Sequence, residues 1–192
     1  MEKKRCWITN NPIYIKYHDE EWGVPVHDDD LLFEFLALEG FQSGLNWELI
    51  LNKREAFRKA FHDFDPKIVG NFDEEKINQL MKDPELIRNR AKILATVHNA
   101  RLVNEIQKEY GSLNNYLWSF RNEKRTENIC NNSTELPSET EESISMSNEL
   151  KKRGFKFVGS KICYAFMQAV GMVNDHLVTC FRNNQIVNMK KI

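Results

Sequence analysis

A carboxylate stands where an apolar side chain belongs. Residues 31–39 read LLFEFLALE. On a helical wheel at about 100° per residue, Leu31, Leu32, Phe35, Leu36 and Leu38 form one broad face, and Glu39 falls near its centre. Glu34 falls well off that centre, where a solvated glutamate belongs. An unpartnered carboxylate on an apolar stripe is costly, so Glu39 is a candidate for acid–base or electrostatic work. The alternative is a helix that ends near Glu39, since Gly40 follows, and a side chain that escapes to water.

Two further patterns offer ligands and flat surfaces. His176 and Cys180 are four apart, which puts two soft metal ligands on one face of a helix. Cys6 and His18 near the other terminus would complete a tetrahedral set that clips the two chain ends together. A buried Cys180 beside a hydrogen-bonded His176 is the plainer alternative. Trp7, Tyr14, Tyr17, Trp22 and Trp47 place three of the four tryptophans and two of the five tyrosines in the first quarter of the chain. Flat π-faces with polar tips suit stacking on a nucleobase, although each ring taken alone also fits an ordinary core.

A fourth pattern suits phosphate. ELKKRGFKFVGSK, residues 149–161, carries Lys151, Lys152, Arg153, Lys156 and Lys161 against one acid. It reads as a basic helix end, a turn at Gly154, and a second helix from about Gly159. Backbone N–H groups at such a turn form an anion site. A solvated charge run explains the lysines but not the Phe155, Phe157, Val158, Gly159 spacing. Arg88, Arg90 and Lys92 could add a second contact. Such contacts position a protein on nucleic acid without reading its sequence.

The elements that must hold these groups are helices. Residues 28–41 open with Asp residues that can cap a helix, Asp65-Pro66 starts another, and Asp73-Glu74-Glu75 begins a third. Apolar residues from Leu86 to Ile106 recur at helical spacing over 85–109. Residues 121–148, rich in Asn, Ser, Thr and Glu, are a surface excursion or an interlobe linker. The polar tail after Phe181 is expected to fray.

Composition bounds the rest. The chain has 192 residues, 27 Lys+Arg against 28 Asp+Glu, and a net charge of -1. With 41% hydrophobic and 29% charged residues it reads as a soluble globular protein, neither a basic tail nor an acidic disordered one. A chain of this length buries roughly 70% of its unfolded surface, enough for one domain or two small lobes. The N-terminal basic residues have no apolar run behind them, so no export signal is expected. The longest uncharged stretch, Ile162 to Asn174, is shorter than the roughly 20 residues a membrane helix needs. Cys6, Cys130, Cys163 and Cys180 therefore read as thiols or ligands rather than disulfides. Glutamates 135, 139, 141 and 142 precede the basic stretch, so the near-zero charge averages two unlike regions. A metal-stapled DNA binder without activity and a hydrolase with His176 at an open metal site both remain open on these patterns.

YIKYHDEEWGVP, LEGFQSGLNW and LKKRGFKFVGSKICYAFMQAVGMVNDH together resemble the 3-methyladenine DNA glycosylase I family. The resemblance runs from Cys6 to about Cys180. It implies a single all-α domain over 1–192 with the helix-hairpin-helix DNA glycosylase fold, two helical lobes, and the hairpin at 149–170. It implies one structural zinc on Cys6, His18, His176 and Cys180, tying the termini. It implies a base pocket of Glu39 as the catalytic group with Tyr14, Tyr17 and Trp47, and Trp7 and Trp22 nearby. Lys156, Phe157, Gly159 and Lys161 fall on the DNA-backbone contact. The implied partner is double-stranded DNA containing alkylated purines, met by a monomer that is cytoplasmic and associated with the nucleoid, with no membrane. Three departures stand out. Cys6 and Trp7 are adjacent where the family has one further residue between them. Phe157 replaces the first hairpin glycine of the wider superfamily. Asn174 replaces its catalytic aspartate. Lys161 reads as a phosphate contact rather than a lyase nucleophile.

Overall fold

The computed structural model describes residues 3–121 and 126–189. Asn11 opens α1 (Pro12–Glu20) by accepting the Ile13 N–H, and proline at the first position loses no hydrogen bond there. Asp28 caps α2 (Asp29–Gln42) on the Leu31 N–H. Asn46 caps α3 (Trp47–Asn52), and α4 (Arg54–Ala60) follows. Asp65, Asp73 and Asn89 cap α5 (Pro66–Val69), α6 (Glu74–Lys82) and α7 (Arg90–Tyr110). Ser112 caps α8 (Leu113–Trp118). Thr140 and Ser143 form a reciprocal capping box on α9 (Glu141–Lys152). The last helices are α10 (Ser160–Ala169) and α11 (Phe181–Val187). Two-residue strands β1 (Thr126–Glu127) and β2 (Val173–Asn174) pair in parallel. Among the described residues no helix is long and apolar enough to cross a membrane.

The three aspartate caps stand where the sequence places them. Other boundaries move. Apolar spacing begins near residue 85, but the helix begins at Arg90, because residues 83–89 are spent in turns such as Leu86 N–H to Asp83 O at 3.3 Å. The tail after Phe181 does not fray at once. α11 forms there and buries Arg182 and Ile186. Residues 190–192 lie outside the described set, as do residues 122–125 of the polar segment. The rest of that segment is tied down: Asn128 N–H donates to Asn174 O, and Cys130 packs on Leu177 and Cys180.

α2 is the central rod. Every residue from Leu32 to Phe41 is buried, because α3, α7, α8 and α10 pack around it. α10 also packs on α9, and the two make the arms of the hairpin. This surrounds α2 on all sides and corrects the expectation for Glu34. It is only 3% exposed, and it pairs with Arg54 and with Arg58 at 3.0 Å, both delivered by α4.

Candidate active site

α2 runs past Glu39 to Gln42, so the carboxylate cannot escape to water at a helix end. Glu39 is 4% exposed, and among the described residues no donor is hydrogen-bonded to its carboxylate. Burial alone pushes its pKa up to about 8, from an ordinary 4.5. α1 supplies Tyr14 and Tyr17 one turn apart, with rings 6.5 Å apart and 22° from parallel. α3 supplies Trp47 at its first position, 5.6 Å from the Tyr17 ring. Asn11 holds the two helices together through Glu48 and Asn52, both at 2.8 Å. Burial raises the Tyr17 phenol well above its ordinary range, and the Glu39 charge adds to it. The same two causes, with Glu48, raise Tyr14. Glu39 and these rings therefore share one electrostatic neighbourhood. The buried Nε1 atoms of Trp7 and Trp47 have no hydrogen-bond partner. Such a site is neutral when empty at neutral pH and regains its charge against a cation with a flat face.

Trp7 stacks on Tyr14 at 5.1 Å and touches Trp22 and His18 edge-on. Trp22 faces the other way. Its ring neighbours are Trp7, His18 and His176, the last at 4.5 Å. It thus belongs to the surroundings of the His/Cys group.

That group is Cys6, His18, His176 and Cys180, whose ligand atoms all lie within 4.8 Å of one another. His176 and Cys180 come from a turn, not from one face of a helix as their spacing suggests. Cys180 is the N-cap of α11, and its N–H turns back to Leu177 O at 2.8 Å. Cys6 Sγ lies 3.4 Å from His176 Nδ1, and Cys180 Sγ lies 3.5 Å from His18 Nε2 and 3.8 Å from His176 Nδ1. A tetrahedral zinc with ordinary Zn–S and Zn–N lengths needs sulfur–nitrogen edges of about 3.5 Å. The donors fit. The outer ring nitrogens are also committed: His18 Nδ1 to Asp19 at 2.8 Å, and His176 Nε2 to Trp22 O at 3.0 Å. Arg5 in turn grips both oxygens of Asp19. This orients both imidazoles with their inner nitrogens toward the thiols, and His18 Nε2 also accepts the Cys6 N–H at 3.2 Å. The Cys6 thiol beside it, the largest cause, holds the Cys180 thiol far below its ordinary range.

The hairpin joins α9 to α10. Gly159 is the N-cap of α10, with no side-chain cap on the helix. Lys156 and Lys161 are exposed, and Phe157 is 36% exposed at φ +55°. Of the basic residues counted in the sequence, Arg153 is taken by Glu109, Tyr110 and Tyr116, and Lys152 by Glu149. Ser160 donates its hydroxyl to Glu139. The second basic group is largely unavailable to phosphate. Arg90 pairs with Glu74 and Asn78. Lys92 is 7% exposed and donates to Phe41 O at 2.7 Å and Ser43 O at 2.6 Å. Of these three, only Arg88 is exposed and has no ion pair with a described residue.

Several residues near the site escape a sequence reading. Asp175 is buried and accepts from Asn128 at 2.6 Å, Tyr164 at 2.7 Å and Gln168 at 2.6 Å. Its neighbour Asn174, by contrast, is already singled out by the resemblance; it is buried, and its Nδ2 has no partner among the described residues. Arg54 bridges Glu21 on α1's end and Glu34 on α2. The only local signal for these is a charge inside an apolar stretch.

A family model described as methyladenine glycosylase matches residues 7–183. DNA-3-methyladenine glycosylase 1 of Escherichia coli (strain K12) is 46% identical over 178 residues, covering 92% of this chain and 95% of that one. A crystal structure of 3-methyladenine DNA glycosylase I has a TM-score of 0.90 and 44% identity, covering 93% of this chain and 98% of that one. A single-residue variant of 3-methyladenine DNA glycosylase I, in complex with 3-methyladenine, has a TM-score of 0.88 and 35% identity, covering 91% and 94%.

Proposed function

The chain belongs to the methyladenine glycosylase family, and we propose that it excises 3-methyladenine from alkylated duplex DNA by hydrolysing the N-glycosidic bond. The observation that carries this reading is the buried carboxylate of Glu39, without a hydrogen-bond donor among the described residues and in one neighbourhood with Tyr14, Tyr17 and, against Tyr17, Trp47.

The lesion is flipped from the stack, at a cost of a few kcal/mol that falls when the base pairs badly. N3-methylation makes the base cationic and a good leaving group, so recognition replaces forceful acid catalysis. Tyr17 and Trp47 stack on the base, with Tyr14 and Trp7 behind them. Glu39 ionises against the cationic base and accepts hydrogen bonds from the adenine edge. As the bond breaks its electron pair stays on the base, which leaves neutral, and the carboxylate charge favours the positive charge that passes to the sugar. Neutral adenine offers no such charge, and an ionised Glu39 would then be buried unpaired. Water attacks the sugar carbon, leaving an abasic site. With asparagine at position 174, no aspartate of the superfamily type assists.

Lys156, Phe157, Gly159 and Lys161 hold the DNA backbone beside the pocket, with N–H groups at the start of α10 facing phosphate. Cys6, His18, His176 and Cys180 hold one zinc, whose role is structural because four protein ligands leave no open position. The protein works as a cytoplasmic, nucleoid-associated monomer. Glu39→Gln tests the reading. Release of 3-methyladenine from methylated DNA is expected to fall about 100-fold. Activity within about twofold of the parent removes Glu39 from the mechanism.

A further inference from the structure

Asn99 on α7 grips both backbone groups of a single hairpin residue, Lys156. Its buried side chain donates from Nδ2 to Lys156 O and accepts on Oδ1 from Lys156 N–H, both at 2.9 Å. The next residue, Phe157, has φ +55°, a conformation costly for any residue with a Cβ. On its far side, Ser147 of α9 donates to Val158 O at 2.6 Å. The strained residue is thus fixed from both flanks, although it is itself 36% exposed. Phe157 lies over Gly40, where an added Cβ would come within 3.3 Å of the Phe157 Cβ. Gly40 follows Glu39 in sequence. The same α7 secures the end of α2, through Lys92 and the carbonyls of Phe41 and Ser43. One helix therefore holds both the hairpin and the segment that carries the pocket carboxylate.

We propose that Asn99 is a positioning residue that sets the spacing between the hairpin's grip on the DNA backbone and the base pocket at Glu39. The inference rests on the hairpin acting as that grip. A flipped base must reach Glu39 while its flanking phosphates are held, so the separation of the two sites is itself part of the recognition. An amide paired to the N–H and C=O of one residue fixes the two peptides that flank it, and so the height and tilt of the backbone at Lys156. Misplacement by an ångström is enough to lose most of the rate.

The test uses the full chain with Asn99→Leu, which removes both hydrogen bonds at similar volume. Three quantities are measured: KM and kcat on methylated duplex DNA, the Kd for free 3-methyladenine, and the salt dependence of binding to duplex DNA. KM on DNA is expected to rise about tenfold, with free-base affinity held within about twofold. Equal losses on DNA and on free base would show a general packing role and overturn the proposal. So would a KM within about twofold of the parent. Lys161→Ala, run alongside, separates the two layers. If it weakens DNA binding while Asn99→Leu does not, only the positioning role fails. If neither weakens it, the grip is misassigned and the inference falls with it. Should Asn99→Leu not fold, Ser147→Ala removes the other flank's hydrogen bond and must show the same split between DNA and free base.

Discussion

Ionising Glu39 in its empty pocket costs free energy, because burial removes water and no donor replaces it. The folded-state pKa of about 8 lies above the ordinary 4.5. Below the lower value both states are protonated and nothing is lost. Stability falls as pH rises between the two values and levels off above the higher one. Glu39→Gln is therefore expected to stabilise the protein by on the order of a few kcal/mol at about pH 9, and by far less at about pH 5. Urea unfolding at both pH values checks this. An equal difference at both would mean that Glu39 is ionised throughout. The stability and activity effects of this one substitution thus point in opposite directions, as expected where a site is held ready for a charge it does not yet contain.

At the scale of elements, α1, α2 and α4 must keep their register for Tyr14, Tyr17 and Glu39 to share a pocket. Arg54 does much of this. It reaches Glu34 on α2, reaches Glu21 at 2.5 Å, and lies over the Phe35 ring at 4.9 Å. The pair with Glu34 is fully buried, so removing one partner strands the other. Arg54→Ala is expected to destabilise the fold by about 3 kcal/mol, with part of the loss restored by adding Glu34→Gln. A loss below about 1 kcal/mol in chemical denaturation would show the bridge to be dispensable. Arg58, half-exposed and also paired with Glu34, limits the damage.

Across the whole molecule, residues 6, 18, 176 and 180 close a loop that contains nearly all of the chain. Stripping the metal with a strong chelator is expected to lower Tm and expose both ends to proteolysis. Metal analysis should find one zinc per chain, and a folded, active, zinc-free preparation would refute the site. Charge is also a property of the whole. The net value of -1 hides a basic hairpin beside an acidic segment. The two are not kept apart, since the exposed Glu139 accepts the Ser160 hydroxyl at the start of α10. Glu139→Gln removes a negative charge next to the proposed phosphate grip. It should tighten binding to duplex DNA a few-fold at low salt, with the gain fading as salt rises. Unchanged binding across the salt series would place DNA elsewhere on the surface.

Helix starts near 28, 65 and 73, the hairpin turn, the Cys6, His18, His176 and Cys180 group that could hold a metal, and the anomalous Glu39 were all legible in the sequence. Caps and turns depend on groups within about four residues, so local order suffices to specify them. The ligand residues and Glu39 declare themselves by residue type, because a soft ligand or a carboxylate in an apolar run is unusual wherever it falls. Fates that depend on distant neighbours were not legible. Glu34 was expected at the surface and is buried, because α4 brings it two guanidinium groups. Lys92 was a candidate phosphate contact, but it turns inward to carbonyls about 50 residues away. Arg153 is drawn off the basic stretch by Glu109 and two tyrosines. His176 and Cys180 meet their partners from a turn, because Cys6 and His18 approach from the opposite end of the chain. Pairing energy depends on separation in space, and only the packed helices decide which charges lie within reach of one another.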